Sequence, residues 1–261
     1  MDKISVHHHH LIPGSPLVFG PGAWWLIHLK AYLTDTVEKF HEFKRFLHIV
    51  VSNIPCKTCR RNAIKYIENN DGSKYMNKMY KGRFVGAFVW MVAFHNDVNR
   101  RKGENIRTWT HVLKAYSSPN PEHHHYTIPG DPEVFGPGAW WILHLTAYAS
   151  KSNIEIKEFM MFVREMSKHI PCPTCRDHAT EYVSENTGSA YISKMYDNRN
   201  VGMFIWISDF HNYVNKRNEK RNVPWKEGYS VYKHVYNVHN FENKITKIID
   251  DYTIKREAAE R

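Results

Sequence analysis

The side chains with most chemistry to offer are the four cysteines, which stand in two identical spacings, Cys56-Lys57-Thr58-Cys59 and Cys172-Pro173-Thr174-Cys175. Two cysteines at this spacing are close enough to join as a disulfide or to share a metal ion. At a helix start the positive end of the macrodipole also lowers the pKa of a nearby thiol, which brings thiol–disulfide exchange within reach near neutral pH. Pro55 and Pro171 fix the entry of the chain into each pair, and Arg60 and Arg176 follow as cations that could further favour a thiolate. The motif alone does not choose a chemistry, since zinc ribbons and thioredoxins use it too. Four cysteines in 261 residues are too few for a secreted scaffold stapled by disulfides, so local redox chemistry or metal binding is the better reading.

The cysteines travel with other residues. Phe19-Gly20-Pro21-Gly22-Ala23-Trp24-Trp25 recurs as Phe135-Gly136-Pro137-Gly138-Ala139-Trp140-Trp141, and the same shift of 116 positions carries Cys56 onto Cys172, Trp90 onto Trp206, His95-Asn96 onto His211-Asn212 and Trp109 onto Trp225. A constant offset means that no net insertion or deletion separates these landmarks, so the chain is one compact unit written twice. We expect domains over residues 1–118 and 123–240, joined where Ser117-Ser118-Pro119-Asn120-Pro121-Glu122 reads as a linker, and one more charge-rich helix over 241–261. The runs His7–His10 and His123–His125 also obey the offset. No carboxylate or cysteine accompanies them at a ligand spacing, so they read as solvated turns and no metal site is assigned.

Helices must position these residues. Trp24, Ile27, His28, Ala31 and Tyr32 recur at three and four positions after the Gly-Pro-Gly turn and share one helical face. Phe40, Phe43, Leu47 and Val50 mark a second helix ending near Pro55. A third begins at the cysteines and runs through Ala63, Ile64 and Ile67 toward Asn69-Asn70-Asp71-Gly72; the fourth covers Phe84 to Val98. Neither copy shows sustained apolar alternation, so the fold class is all-α, two tandem four-helix bundles. Strand–helix alternation of the thioredoxin kind is missing. On the fourth helix His95 and Asn99 lie four apart on one face, offering a ring and an amide.

No stretch reaches the roughly 18 consecutive apolar residues of a membrane span. The start, Met1-Asp2-Lys3-Ile4-Ser5-Val6, has no apolar signal-peptide core, so a soluble protein is expected. The formal charge of +10 is compatible with nucleic acid, an acidic partner or a phosphate-bearing cofactor. Its Lys and Arg are scattered among acidic residues, which makes nucleic acid the weaker of these.

Phe-Gly-Pro-Gly-x-Trp, then Trp24-x3-His28-x3-Tyr32, Cys56-x-x-Cys59 and Trp90-x4-His95-Asn96-x-Val98-Asn99, in this order within one small helical domain, resemble the Erv/ALR family of FAD-linked sulfhydryl oxidases. Trp140, His144, Tyr148, Cys172, Cys175, Trp206, His211, Asn212 and Asn215 repeat the match. It is most like the compact members from large cytoplasmic DNA viruses, the African swine fever virus type. The resemblance implies that Trp24, His28, Tyr32, His95, Asn96 and Asn99 line an FAD site, with Trp140, His144, Tyr148, His211, Asn212 and Asn215 doing the same in the second copy. Aromatic rings can stack on adenine or isoalloxazine, His and Asn can hydrogen-bond a base edge or ribose, and nearby Lys and Arg can offset the pyrophosphate.

The implied activity is a thiol oxidase. Cys56 and Cys172 exchange with a dithiol protein or a small redox relay protein, Cys59 and Cys175 lie against the flavin, and electrons leave to molecular oxygen as hydrogen peroxide. Family members pair as homodimers, so the two copies are expected to pair within the chain or with a second chain. Action in host cytoplasm or a virion follows from the viral likeness, with the mitochondrial intermembrane space as the cellular alternative. Two departures stand out. Val92 and Ser208 occupy the place of a further cysteine common in cellular members, and Lys102 and Asn218 stand where the family often has Leu. All four cysteines are used, so no outlying shuttle pair is expected and each active-site pair meets its substrate directly. The competing class is a metal-stapled structural or nucleic-acid interaction protein, in which the four cysteines hold zinc.

Overall fold

The structure, a computed structural model, describes residues 12–117 and 128–238; the histidine runs, the linker beyond Ser117 and the expected tail helix over 241–261 lie outside them. In the first copy, α1 (Pro16–Tyr32) starts at Ser15, whose side chain accepts the N–H of Leu17, with Pro16 in the first turn where no N–H is needed. It is followed by α2 (Val37–Ser52), capped by Thr36, and α3 (Lys57–Asn69), capped by Cys56. A 3-10 turn at Ser73–Tyr75 leads to a hairpin of β1 (Met79–Tyr80) and β2 (Arg83–Phe84), then α4 (Gly86–Lys102) and α5 (Trp109–Ser117). The second copy repeats the order as α6 (Pro132–Ala149), α7 (Asn153–Ser167), α8 (Pro173–Glu185), β3 (Met195–Tyr196), β4 (Arg199–Asn200), α9 (Gly202–Arg217) and α10 (Trp225–Val238).

The all-α reading holds, and three local details add to it or differ. Among the described residues each copy has the four expected helices and a further short one that begins at Trp109 and Trp225. Each copy also carries a hairpin, with Met79 opposite Phe84 and Met195 opposite Asn200. Two-residue strands are too short to show alternation; their signal lay in the turns Lys81-Gly82 and Asp197-Asn198, all at positive φ as a tight hairpin turn requires. The hairpin packs on the extra helix through Tyr80 against Trp109 and Tyr196 against Trp225. Finally, Gly-Pro-Gly is no turn but lies inside α1 and α6, although Pro21 and Pro137 each forgo a helical hydrogen bond.

Tertiary contact overrides that local cost. The crossing of α1 and α6 is the most extensive helix contact in the molecule. A Cβ on Gly22 would lie 1.7 Å from the Phe135 carbonyl oxygen, and one on Gly138 would lie 1.9 Å from that of Phe19. Only glycine lets the two backbones approach this closely. The reciprocity continues in the rings: Trp25 meets Phe135 at 5.2 Å, Phe19 meets Trp141 at 5.4 Å, and Phe46 meets its own counterpart Phe162 at 6.0 Å. Burying each such side chain contributes about 2–3 kcal/mol. The halves therefore face each other across a pseudo-twofold axis.

An ion-pair cluster breaks this symmetry. Arg45 on α2 reaches across to α7, bonding Glu155 at 2.7 Å and also Glu158, with all three side chains largely buried. Its counterpart is Met161, which is 62% exposed, and the counterpart of Glu155 is Lys39, which pairs instead with Asp35.

Candidate functional site

Each Cys-x-x-Cys closes as a disulfide, Cys56–Cys59 and Cys172–Cys175, with the Cα atoms 5.2 Å apart. Cys56 and Cys172 are the N-cap residues of α3 and α8, and their Sγ atoms accept the backbone N–H of Cys59 and Cys175 at 3.2 Å. All four sulfurs thus sit in the positive field of a helix start, where a thiolate released on reduction is favoured. Arg60 and Arg176 do not complete this by themselves: their guanidinium groups donate to the carbonyls of Ile54 and Ile170 just before the motif.

Beside the first disulfide lies a cavity of about 830 Å³, within the roughly 300–1,000 Å³ usual for organic ligands. Its wall includes Cys59 but not Cys56, together with Trp24 and His28 from α1 and His95, Asn96 and Asn99 from α4. Five of the six residues expected to line a cofactor site in this copy therefore meet in one space. Tyr32 does not line it; Arg83 from the hairpin lies over its ring at 4.2 Å and donates to its carbonyl. Tyr148 is held likewise by Arg199, which donates to its hydroxyl at 2.8 Å and its carbonyl at 2.6 Å.

Within the wall, Trp24 is stacked on His95 at 3.9 Å and nearly parallel, so one face of each ring is already taken. His28 Nε2 and His95 Nδ1 lie 3.0 Å apart, one donating to the other. The second copy reproduces this with Trp140 on His211 at 4.1 Å and His144 to His211 at 3.0 Å. Asn96 spends its whole amide on the backbone of Arg107, donating to its carbonyl at 2.7 Å and accepting its N–H at 2.9 Å; Asn212 clamps Val223 in the same way. Asn99 and Asn215 donate to the carbonyls of Asn105 and Arg221. These asparagines thus hold the loop after the helix and shape the cavity rim.

Sequence reasoning missed Tyr116, Arg101 and Arg107, all on the cavity wall. Tyr116, buried with its hydroxyl donating to the Trp25 carbonyl, maps on Tyr232, and Arg101 maps on Arg217, so the offset itself carried a signal for both. Arg107 maps on Val223 and left none.

Burial pushes the His28 and His144 rings well below their ordinary pKa of 6.5, with the facing histidine adding to it. Burial also lowers His95 and His211 to about 4, helped by Lys102 and Arg107 for the first and Lys220 for the second. These rings are neutral when folded, whereas the unfolded chain takes up protons below pH 6.5. Stability is therefore complete above that pH and is lost as pH falls toward 4. The melting temperature is expected to drop by roughly 10 °C or more between pH 7.5 and pH 5. A flat profile over that interval would show that the rings are charged in the folded state.

An Erv1/Alr family model matches residues 21–118 and again 137–237. A protein of African swine fever virus from a pig isolate, named FAD-linked sulfhydryl oxidase, is 31% identical over 119 residues, covering 44% of this chain and 87% of its own. One of the same name from a tick isolate is 30% identical over 104 residues, covering 38% and 81%. A protein of Invertebrate iridescent virus 6 is 34% identical over 105 residues, covering 36% and 87%. No solved structure matches the chain. Among the described residues, no helix is long and apolar enough to cross a membrane.

Proposed function

Because the chain belongs to the Erv1/Alr family through both of its halves, we propose that it is an FAD-dependent thiol oxidase that forms disulfides in protein substrates at two sites. The observation that carries this reading is the asymmetry of the first disulfide. Cys59 lines the cavity with Trp24, His28, His95 and Asn99, while Cys56, likewise partly exposed, stands outside it.

The residues present suit FAD. His28 Nδ1 and His144 Nδ1 are buried without a hydrogen-bond partner, which a polar ligand edge would supply. Arg101, Lys102 and Arg107 on the wall would offset a pyrophosphate, and the free faces of Trp24 and His95 would take a ring. Bound there, FAD would supply a two-electron acceptor that dioxygen reoxidises with release of hydrogen peroxide. In the second copy Trp140, His144, His211, Asn212 and Asn215 do the same work, with Tyr148, like Tyr32, supporting the site from behind.

In the thiol half-reaction, a substrate thiolate attacks Cys56 Sγ, the Cys56–Cys59 bond breaks, and Cys59 departs as a thiolate in the first turn of α3. The substrate's second thiolate then attacks its own sulfur in the mixed disulfide and releases Cys56, whose Sγ is held by the Cys59 N–H. The substrate leaves as a disulfide, and its two electrons remain on the cysteine pair beside the cavity. Cys172 and Cys175 act in the same order.

Two oxidase domains, over residues 1–118 and 123–240, form the working pair inside one chain, which the reciprocal contact of α1 and α6 supports. We assign its place of action to host cytoplasm or the virion, since the similar proteins are viral. The deciding measurement is the absorbance of purified, FAD-loaded protein. Flavin bands at two flavins per chain should bleach on adding dithiothreitol without air and return with air. Colourless protein would sink the proposal, and a ratio near one would leave one copy silent.

A further inference from the structure

The two disulfides open onto surfaces of opposite charge. On α3, Lys57, Arg61 and Lys65 are exposed at successive turns of the same face, a stripe that starts beside Cys56. The matching stripe on α8 reads Pro173, Asp177, Glu181 and then Glu185, also exposed. Arg61 maps on Asp177 and Lys65 on Glu181, so the charge changes sign at two equivalent positions of a helix whose fold is otherwise kept. None of these six charged side chains joins an ion pair among the described residues, so their fields face solvent.

Neighbouring groups do not undo the contrast. Arg60 and Arg176 are present in both copies and turn to the same carbonyl. Glu68, the one acidic residue of α3, is outnumbered by Lys57, Arg60, Arg61 and Lys65 of the same helix. In the second copy Lys168 closes on Glu165 at 2.7 Å, and Arg217 comes onto α8 at His178. Around the first disulfide the surplus is cationic. Around the second, three carboxylates outnumber Arg176 and Arg217, in a chain whose formal charge is +10.

We propose that the two disulfides serve different substrates: Cys56–Cys59 oxidises dithiols flanked by acidic residues, and Cys172–Cys175 oxidises dithiols flanked by basic ones. This rests on the thiol-oxidase reading above. Each client gives two electrons and two protons to the disulfide it meets and leaves oxidised, with dioxygen as the final oxidant for both sites. Charge beside the attacked sulfur acts on encounter and orientation, which is where exposed charges have their largest effect on rate.

The test uses the full-length, FAD-loaded protein with one disulfide removed, by Cys172→Ser with Cys175→Ser or by Cys56→Ser with Cys59→Ser. Each is assayed for oxygen consumption with two synthetic peptides, Cys-Gly-Gly-Cys flanked by three aspartates or by three lysines, and with uncharged dithiothreitol. The chain keeping Cys56–Cys59 should favour the acidic peptide by about tenfold in kcat/KM at low salt, and the chain keeping Cys172–Cys175 the basic one by a similar factor. Both preferences should shrink in high salt. Arg61→Glu with Lys65→Glu should invert the first preference, and Asp177→Lys with Glu181→Lys the second, with dithiothreitol turnover unchanged by either.

Equal peptide ratios in the two chains, or ratios that survive charge reversal, would overturn the proposal. Should only one half turn over dithiothreitol, reversal of that half's own charges decides. If the intact protein does not oxidise dithiothreitol at all, it is the thiol-oxidase reading that falls.

Discussion

A chain carrying Cys59→Ser together with Cys175→Ser is expected to fold, to bind flavin, and to lose thiol-dependent oxygen consumption by about a thousandfold or more, since a covalent step is removed outright. The reason is positional. Cys59 is the sulfur on the cavity wall, so it alone of its pair can connect exchange at the surface to chemistry inside. Serine keeps the size and the place in the first turn, and the Cys56 cap still accepts the N–H of residue 59. Anaerobic dithiothreitol should leave the flavin bands of the double variant unbleached while those of the unaltered protein fade. Cys56 and Cys172, left as free thiols, would still attack an added disulfide such as oxidised glutathione, expelling one of its thiolates and leaving a mixed disulfide detectable as a covalent adduct by mass. Bleaching at the unaltered rate would mean that thiols reach the cavity without the disulfides, and the proposed route would be wrong.

The second large effect concerns stability. Arg45→Met copies into the first half what the second half has at the equivalent position, yet it should cost about 3–5 kcal/mol, because it strips the guanidinium from two buried carboxylates. Glu155 is committed twice over: one oxygen meets Arg45, and the other accepts the backbone N–H groups of Lys151 and Ser152 at the start of α7. It cannot turn to water without undoing that cap. Glu158 is only about a tenth exposed and has the same Arg45 beside it. Thermal unfolding should fall by roughly 10 °C. Adding Glu155→Gln and Glu158→Gln should restore much of the loss, since the carboxylate charges that Arg45 had met are then gone. A cost under about 1 kcal/mol would class the cluster with ordinary surface pairs.

Much of this organisation was legible in the sequence because duplication prints each structural demand twice. The offset joined cysteines, histidines and asparagines into two sets, and the 3.6-residue spacing found four helices in each half. What stayed hidden has physical causes. Gly20-Pro21-Gly22 carries turn-forming residues, and its helical conformation depends on α6, which only the assembled fold supplies. The extra helix at Trp109 and the two-residue strands are too short for periodicity to show. Tyr32 keeps the spacing of its face, but Arg83 from the hairpin captures it. Arg45 escaped for the opposite reason, since a search for repetition passes over the residue that does not repeat.

The crossing at Gly22 and Gly138 also has a consequence for how the protein behaves on dilution. Two separate subunits meeting there would pair by mass action, and their melting temperature would fall as concentration fell. Joined in one chain, the faces see each other at an effective concentration set by the tether, whatever the number of molecules in solution. Such an oxidase needs no threshold abundance to be assembled: the first molecule made already has its partner.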